Sequence, residues 1–463
     1  MKFRRTSRGQ PTAWGPAEPP ATDQGHIGDP DEISEVSWRH MLAAFSVRPY
    51  AWYWSSQLLS GLGTWSQAIA QAWLVLELTH SESRAAVWIG TITMLQFLPL
   101  LAFAVVGGVL ADRVPRRKLL IATQSASAIQ ALALAALVIS GTVQLWEVGV
   151  LAFLLGTTNA FNNPAQQSFV PEIVGRRLVA DAVALNSVQF SSARMIGGAL
   201  GGVSVAFWGV SGTALVNAAS FLPAIAVLTL IRPAYATIRQ ASTHTSVFSE
   251  LRTGVEYALS TVPIRRVVLI FGVTSLFGLN WQVALPLVAR FMLHRQVTGF
   301  GDLMAALGAG SLLGALFVAR DRRATERRLI AGGLALGAAL VLIGSSHSYP
   351  VTLVLVAAGG VAGIMVSVTA NTRLQLLVPD HLRGRVMGIY VLLMGGTTPI
   401  GAFLLGEISA HFGPAVGIVV FGVATLATVG FLAVFRRARG SIGPPAPSHA
   451  HAVGVDPPDA PPA

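Results

Sequence analysis

The sequence predicts an all-α membrane protein whose twelve transmembrane helices form two pseudo-symmetric bundles of six. Three observations predict it. Hydrophobic residues make up 53% of the 463-residue chain and charged residues only 11%, with a mean hydropathy of +0.60; soluble domains carry about 25% charged residues. The apolar residues gather into twelve stretches, each near the roughly 20 residues that cross a bilayer. Finally, markers in the first half return in the second. Val170-Pro171-Glu172 recurs 208 residues on as Val378-Pro379-Asp380, and Asp112-Arg113 recurs 209 residues on as Asp321-Arg322.

The same composition excludes other classes. There is no cysteine, so a disulfide scaffold, a thiolate metal site and a cysteine nucleophile are ruled out. The 47 glycines and 25 prolines lie within or beside apolar runs, where neighbouring membrane helices can satisfy the backbone groups they free. The net charge of +11, with 30 arginines and two lysines, first suggests nucleic acid. Placement of the basic residues argues otherwise.

Residues 1–46 are polar and read as a solvated, largely disordered tail without a cleavable signal. Six spans follow in 47–231, at approximately 50–77, 86–110, 118–140, 147–168, 181–208 and 212–231. A polar connection, 232–263, contains Phe248, Leu251, Val255, Ala258 and Val262 at helical spacing, read either as a short amphipathic helix on the inner surface or as an ordinary linker. Six more spans occupy 264–436, at approximately 264–290, 301–319, 328–346, 350–372, 385–410 and 414–435. Residues 437–463 read as a disordered proline-rich tail. With the N-terminus cytoplasmic, 28 of the 32 Lys/Arg fall in cytoplasmic tails and loops, Arg84, Arg290 and Arg295 fall outside, and Arg194 lies within a span. This asymmetry predicts a multi-pass protein of the cell (inner) membrane with both termini inside. Basicity is thereby topological, and nucleic acid is not an expected partner.

Two repeated bundles facing each other enclose a cavity near the midplane that opens to one side at a time. The loop after the second span, Gly107-Gly108-Val109-Leu110-Ala111-Asp112-Arg113-Val114-Pro115-Arg116-Arg117-Lys118, resembles the signature loop of the major facilitator superfamily, with Pro115 where the family has its second glycine. The resemblance implies that Gly108, Asp112, Arg113, Arg116 and Arg117 form a conformational latch. Physically, a carboxylate at a helix end can accept charge-assisted hydrogen bonds from arginines and face a neighbouring helix N-terminus; the alternative is a basic loop that only sets orientation. In the fifth span, Gly197-x-x-x-Gly201 overlaps Gly198-x-x-x-Gly202, small-residue spacing that permits close helix contact. This is similar to a glycine-rich motif of drug:proton antiporters in that superfamily, although Gly198 replaces its proline. Pro164-Ala165, Phe169-Val170-Pro171-Glu172, Ala184-Leu185-Asn186-Ser187 and Arg383-Gly384-Arg385-Val386 resemble a branch that contains macrolide efflux proteins and the enterobactin exporter. An arginine found in the fourth span of many drug exporters is absent from 147–175.

Ionisable groups within spans are costly and are functional candidates. Arg194 lies roughly 20 Å from the inner end of its helix, near mid-bilayer; it either meets an anionic substrate, responds to a carboxylate, or serves as a structural donor. A carboxylate held away from water can exchange protons near neutral pH, which makes Glu77, Glu147, Glu407 and Asp302 coupling candidates or wetted rim residues. The amides Gln67, Gln71, Asn159, Asn162, Asn163, Asn186, Gln189, Asn280 and Gln282 could line an amphipathic pocket or join helices.

The expected function is secondary active, proton-coupled efflux of small amphipathic organic compounds of drug, macrolide or siderophore type, by a monomer without cofactor or metal. An uptake symporter or lysophospholipid flippase is the alternative. A membrane-embedded enzyme is a remote one, because the histidines are scattered and no Walker-type phosphate loop is present.

Overall fold

The computed structural model describes residues 42–79, 81–231, 247–320 and 324–440. In chain order the helices are α1 (Arg48–Leu78), α2 (Glu82–Arg113), α3 (Arg116–Ile139), α4 (Leu145–Val174), α5 and α6 (179–208 and 210–230), α7 (Val247–Ser260), α8 (Val262–Met292), α9 (Val297–Arg320), α10 (Glu326–Ser345), α11 (Tyr349–Leu377), α12 (Asp380–Phe412) and α13 (Pro414–Gly440). Nine helices among the described residues are long and apolar enough to cross a membrane. One of these, 52 residues long, reverses direction at Gly209 and makes two crossings. The amide-bearing helices α1 and α4 bring the total to twelve. An all-helical architecture is what a bilayer demands, since each helix satisfies its backbone internally.

Local sequence sets the helix boundaries. Proline within the first turn opens α1, α8 and α11, where a missing N–H costs nothing. A reciprocal box opens α4: the Gln144 side chain accepts from the backbone of Glu147, and the Glu147 carboxylate accepts from the Gln144 N–H at 2.8 Å. The Thr325 hydroxyl accepts from the Arg328 N–H at 3.3 Å to cap α10. Gly209 and Gly413, at φ of 68° and 87°, join α5 to α6 and α12 to α13 in the left-handed region that only glycine enters cheaply. They stand at corresponding places in the two halves.

The folded region begins earlier than expected. Leu42–Ser46 is a 3₁₀ turn with Ala44 buried, and Phe45 meets Trp54 edge-on at 5.1 Å. Helix α13 continues to Gly440, past the expected start of the tail at 437; the proline-rich segment 441–463 lies outside the described residues. The connection contains a helix, α7, with Ala258 buried and Val255 exposed. A methyl group at Gly254 would lie 3.1 Å from Arg385 Cβ, so α7 packs against the start of α12. Helix α8 is not uniform: π-helical turns occupy Thr274–Gly278 and Val288–Met292, and Leu279–Asn280 is non-helical.

The core explains how the twelve crossings are held. One end of the bundle carries Arg116, Arg117, Arg177, Arg265, Arg266, Arg327 and Arg328; we call it the basic end. At the opposite end a single apolar cluster joins α1, α2 and α5 to α8, α9 and α12, through Trp73, Ile89, Val205, Trp281, Phe300 and Leu405 among others. At the basic end the core divides. One cluster, around Tyr53, Phe169 and Leu185, belongs to α1–α6; another, around Phe271, Val366 and Tyr390, belongs to α7–α13.

The first six helices carry a buried amide ladder. Gln124 donates to Gln57 at 3.0 Å, Gln67 to Gln130 at 3.0 Å, and Asn217 to Gln67 at 2.8 Å, linking α3, α1 and α6. Gln67 is 2% exposed. Replacing Gln67 by Leu would strand the Gln130 and Asn217 amides in an apolar interior, a loss of about 1–3 kcal/mol. Gln67→Leu should lower the thermal unfolding midpoint in detergent, and adding Asn217→Leu should cost less than the two single losses combined. Strict additivity would contradict a shared network.

Candidate functional site

Helix α5 organises the site because its small residues serve two seams. A methyl group at Gly197 would sit 2.8 Å from the Leu62 carbonyl and from Trp65 Cβ, and one at Gly201 would sit 2.9 Å from Ile69 Cβ. Gly197 and Gly201 therefore face α1, within the first half. One residue further along, the direction changes. A methyl group at Gly198 would meet Met304 Cβ at 3.0 Å, and one at Gly202 would meet Gly301 Cα and the Val297 carbonyl at 3.0 Å. Gly198 and Gly202 face α9, in the second half. Successive residues step about 100° around a helix, so two overlapping small-residue patterns mark two interfaces.

The α1 seam is also hydrogen-bonded. Ser66 donates to the Gly197 carbonyl at 2.9 Å, Trp54 Nε1 to the Leu185 carbonyl at 3.1 Å, and Gln189 to the Trp54 carbonyl at 3.3 Å. Tyr50 donates to the Ala182 carbonyl at 3.0 Å, with Asn186 Oδ1 at the same distance. A second pair of helices joins the halves on the far side. Ser83 donates to the Ala410 carbonyl at 2.7 Å, a methyl group at Gly90 would lie 3.0 Å from Gly406 Cα, and one at Gly395 would lie 2.8 Å from Leu100. Thus α2 packs on α12 as α5 packs on α9.

Arg194 lies between the seams. On the helical wheel it falls about 60° from Gly197, towards the side of Gly198 and Gly202, and so enters the groove between α1 and α9. Its guanidinium carbon stands 5.4 Å from the centroid of the Trp65 ring, a cation–π distance. Its Nε is buried and finds no hydrogen-bond partner among the described residues. One turn nearer the basic end, Phe190 meets Trp65 edge-on at 5.9 Å and is 60% exposed. Ser187 is exposed and Ser191 half-buried; their hydroxyls bond back to the carbonyls of Val183 and Ser187.

The other candidates divide by environment. Gln67, Asn186 and Gln189 are engaged between helices, as above. Asn280 is buried, and its Nδ2 donates to the Leu276 carbonyl at 2.6 Å beside the break in α8, while its Oδ1 has no partner among the described residues. Asn159 and Gln282 are half-buried, and Asn163 and Gln167 on α4 are exposed. An exposed amide at that depth is costly against lipid, which turns this face of α4 towards the groove. Glu147 serves its helix cap, Glu77 is exposed at the end of α1, and Glu407 Oε2 lies 4.0 Å from His411 Nδ1. Asp302 is exposed and accepts from Tyr349 at 2.5 Å.

Asp112 and Arg113 fall in the last turn of α2, and their side chains, like the surroundings of Gly108, lie outside what is described. Pro115, with ψ of 117°, ends the turn as the N-cap of α3. Arg116 binds the Glu172 carboxylate at 2.5 Å and the Ser168 carbonyl at 3.2 Å, both on α4. Arg117 Nε donates to the Leu228 carbonyl at 2.5 Å, and its Nη2 donates to the Thr229 carbonyl, at the last turn of α6, where a cation complements the helix dipole. The sequence marks Glu172 as part of a repeat and of a family resemblance but not as the partner of Arg116, and it does not single out Gln57, Gln124, Gln130 and Asn217, whose pairing depends on which helices adjoin.

The fold resembles solved transporters. It aligns with a bacterial homologue of the human lysosomal transporter Spinster, in an inward-facing and unoccupied conformation, at a TM-score of 0.64, with 13% identity, covering 89% of this chain and 100% of that one. The POT family transporter PepTSo aligns at 0.66, with 13% identity over 85% and 99%. In sequence, the chain is 28% identical to the multidrug efflux pump Tap of Mycolicibacterium fortuitum, over 76% of this chain and 87% of that protein. It is 23% identical to the staphyloferrin A transporter of Staphylococcus aureus, over 81% and 93%, and 25% identical to the enterobactin exporter EntS of Escherichia coli, over 72% and 81%. The family described as transmembrane secretion effector matches residues 40–442. With two six-crossing halves joined along α2–α12 and α5–α9, and with that match over most of its length, the chain belongs to the transmembrane secretion effector family of major facilitator transporters.

Proposed function

We propose that this chain exports small amphipathic organic compounds across the cell membrane by alternating access, in exchange for protons, and does so as a monomer. The observation that carries the reading is the division of the core. One apolar cluster closes both halves together at the arginine-poor end, and two separate clusters hold them at the basic end. The positive-inside rule puts the basic end and both termini in the cytoplasm. The described arrangement is then open inwards, with Arg194, Phe190, Ser187, Asn163 and Gln167 reachable from that side. The relatives named as an efflux pump and an exporter support outward movement.

The latch follows from what Arg116 and Arg117 already do. They bind α4 and α6, which fixes the start of α3 to the first half. In the proposed cycle the Asp112 carboxylate engages the N-terminus of α12 when the basic end closes, with Gly108 and Arg113 completing the latch. Inward proton movement supplies the drive, at roughly 2.3 kcal/mol per charge per 100 mV. Glu77, Glu147 and Glu407 remain the coupling candidates; of these, Glu407, on α12, sits beside the seam with α2.

Two measurements test this reading. Everted vesicles containing the protein should accumulate amphipathic dyes when their lumen is acidified and lose them on adding a protonophore; a symporter would not accumulate them under that gradient. Asp112→Asn should keep normal membrane abundance while slowing transport at least ten-fold. Equal transport at equal abundance would remove the latch.

A further inference from the structure

The charge inventory of the groove identifies the class of substrate. Along α5 and the helices packed on it, α1, α3, α4, α6 and α9, the carboxylates are Glu77, Glu147, Glu172, Asp181 and Asp302, each within six residues of a helix end. None lies at the depth of Arg194. Its Nε has no hydrogen-bond partner among the described residues, and its guanidinium rests on the face of Trp65. A guanidinium at mid-membrane without a counter-charge is costly, and in a low dielectric the attraction of an opposite charge is strong. Among the described residues the protein supplies the cation and the aromatic floor there but no carboxylate. Towards the basic end the same face of α5 carries Phe190 and Ser187, both exposed, and Phe190 meets Trp65, so a ligand approaching from that end meets aromatic rings before Arg194.

We infer that Arg194 is the subsite for the anionic group of an amphipathic organic anion, such as a carboxylate or phenolate, whose flat apolar body lies against Trp65 and Phe190. The planar guanidinium presents parallel N–H donors that suit a carboxylate. Backbone contact at Gly198 and Gly202 above it closes the arginine-poor side, so the anion is held at the closed end of the groove. This assignment rests on the export reading for its physiological meaning, but binding can be tested separately.

The experiment uses the purified full-length protein in phosphatidylcholine nanodiscs and three probes that share one ring system and differ in charge: naphthalene-2-carboxylate, naphthalene-2-carboxamide and naphthylmethylammonium. Equilibrium dialysis should show the carboxylate binding at least ten-fold more tightly than the other two. Arg194→Gln should abolish that preference while leaving the carboxamide within two-fold, and Arg194→Lys should retain part of it, which separates loss of charge from loss of fold. Equal affinity for the three probes, no saturable carboxylate binding, or an undiminished preference in Arg194→Gln would overturn the assignment. Adding phosphatidylglycerol to the nanodiscs should not displace the carboxylate; displacement would place a lipid headgroup at Arg194 and overturn the substrate assignment. Carboxylate binding without gradient-driven transport in everted vesicles would sink export and leave the subsite standing. Accumulation of the ammonium but not the carboxylate would do the reverse.

Discussion

The structure depends on backbone contact between helices of opposite halves. Lipid is as apolar as a leucine side chain, so helices in a bilayer gain little from the hydrophobic effect and associate through close packing. Here glycine meets glycine at Gly202 and Gly301 and at Gly90 and Gly406, and Gly308 meets the Met195 backbone. A seam built on small residues has few side chains to unmesh when it tilts. Helix α5 shows the contrast on two of its faces. Towards α1 it is fastened by hydrogen bonds from Tyr50, Trp54, Ser66 and Gln189; towards α9 it meets the Gly301 and Gly308 positions and Met304 Cβ. One face holds the half together and the other lets it move.

Polar groups are distributed to the same end. The amide ladder and the Arg116–Glu172 pair stiffen the first half, as a body that tilts as a unit requires. In the second half hydroxyls join helices, as from Ser275 to the Leu393 carbonyl and from Thr397 to Ser275, and Arg266 lies 3.6 Å from Glu326. That half also contains the broken α8, whose non-helical Leu279–Asn280 lies between π-turns. Irregular backbone at membrane depth persists only where protein or a cavity surrounds it. Helix α8 is thus the span whose backbone departs furthest from a regular helix among the described residues.

Much of this was legible in the sequence, for identifiable reasons. The crossings are encoded locally, by apolar length, and the repeat of Val170-Pro171-Glu172 at Val378-Pro379-Asp380 announced the two halves. The overlapping glycine patterns at 197–202 were visible, but not their separate partners, because spacing within one helix says nothing about which neighbour lies on each side. The same limit hid the ladder: Gln67 stood out as a polar residue in an apolar span, while its partners Gln130 and Asn217 lie on helices brought near only by the fold. The break in α8 left no proline or glycine at residues 279–280 to mark it. Glu147, a coupling candidate by sequence, also has a local use that needed the helix start to be known: it lies one turn into α4, with Gln144 as cap.

The most direct measurement exploits a chain that has no native cysteine. Ser83 and Ala410 face each other across the halves at the arginine-poor end, so a Ser83→Cys, Ala410→Cys double variant places a thiol pair there alone. The account predicts that oxidation cross-links the resting protein rapidly, holds that end shut, and stops transport until a reductant restores it. Transport that continued undiminished through the cross-linked protein would contradict the claim that the halves must part at this seam.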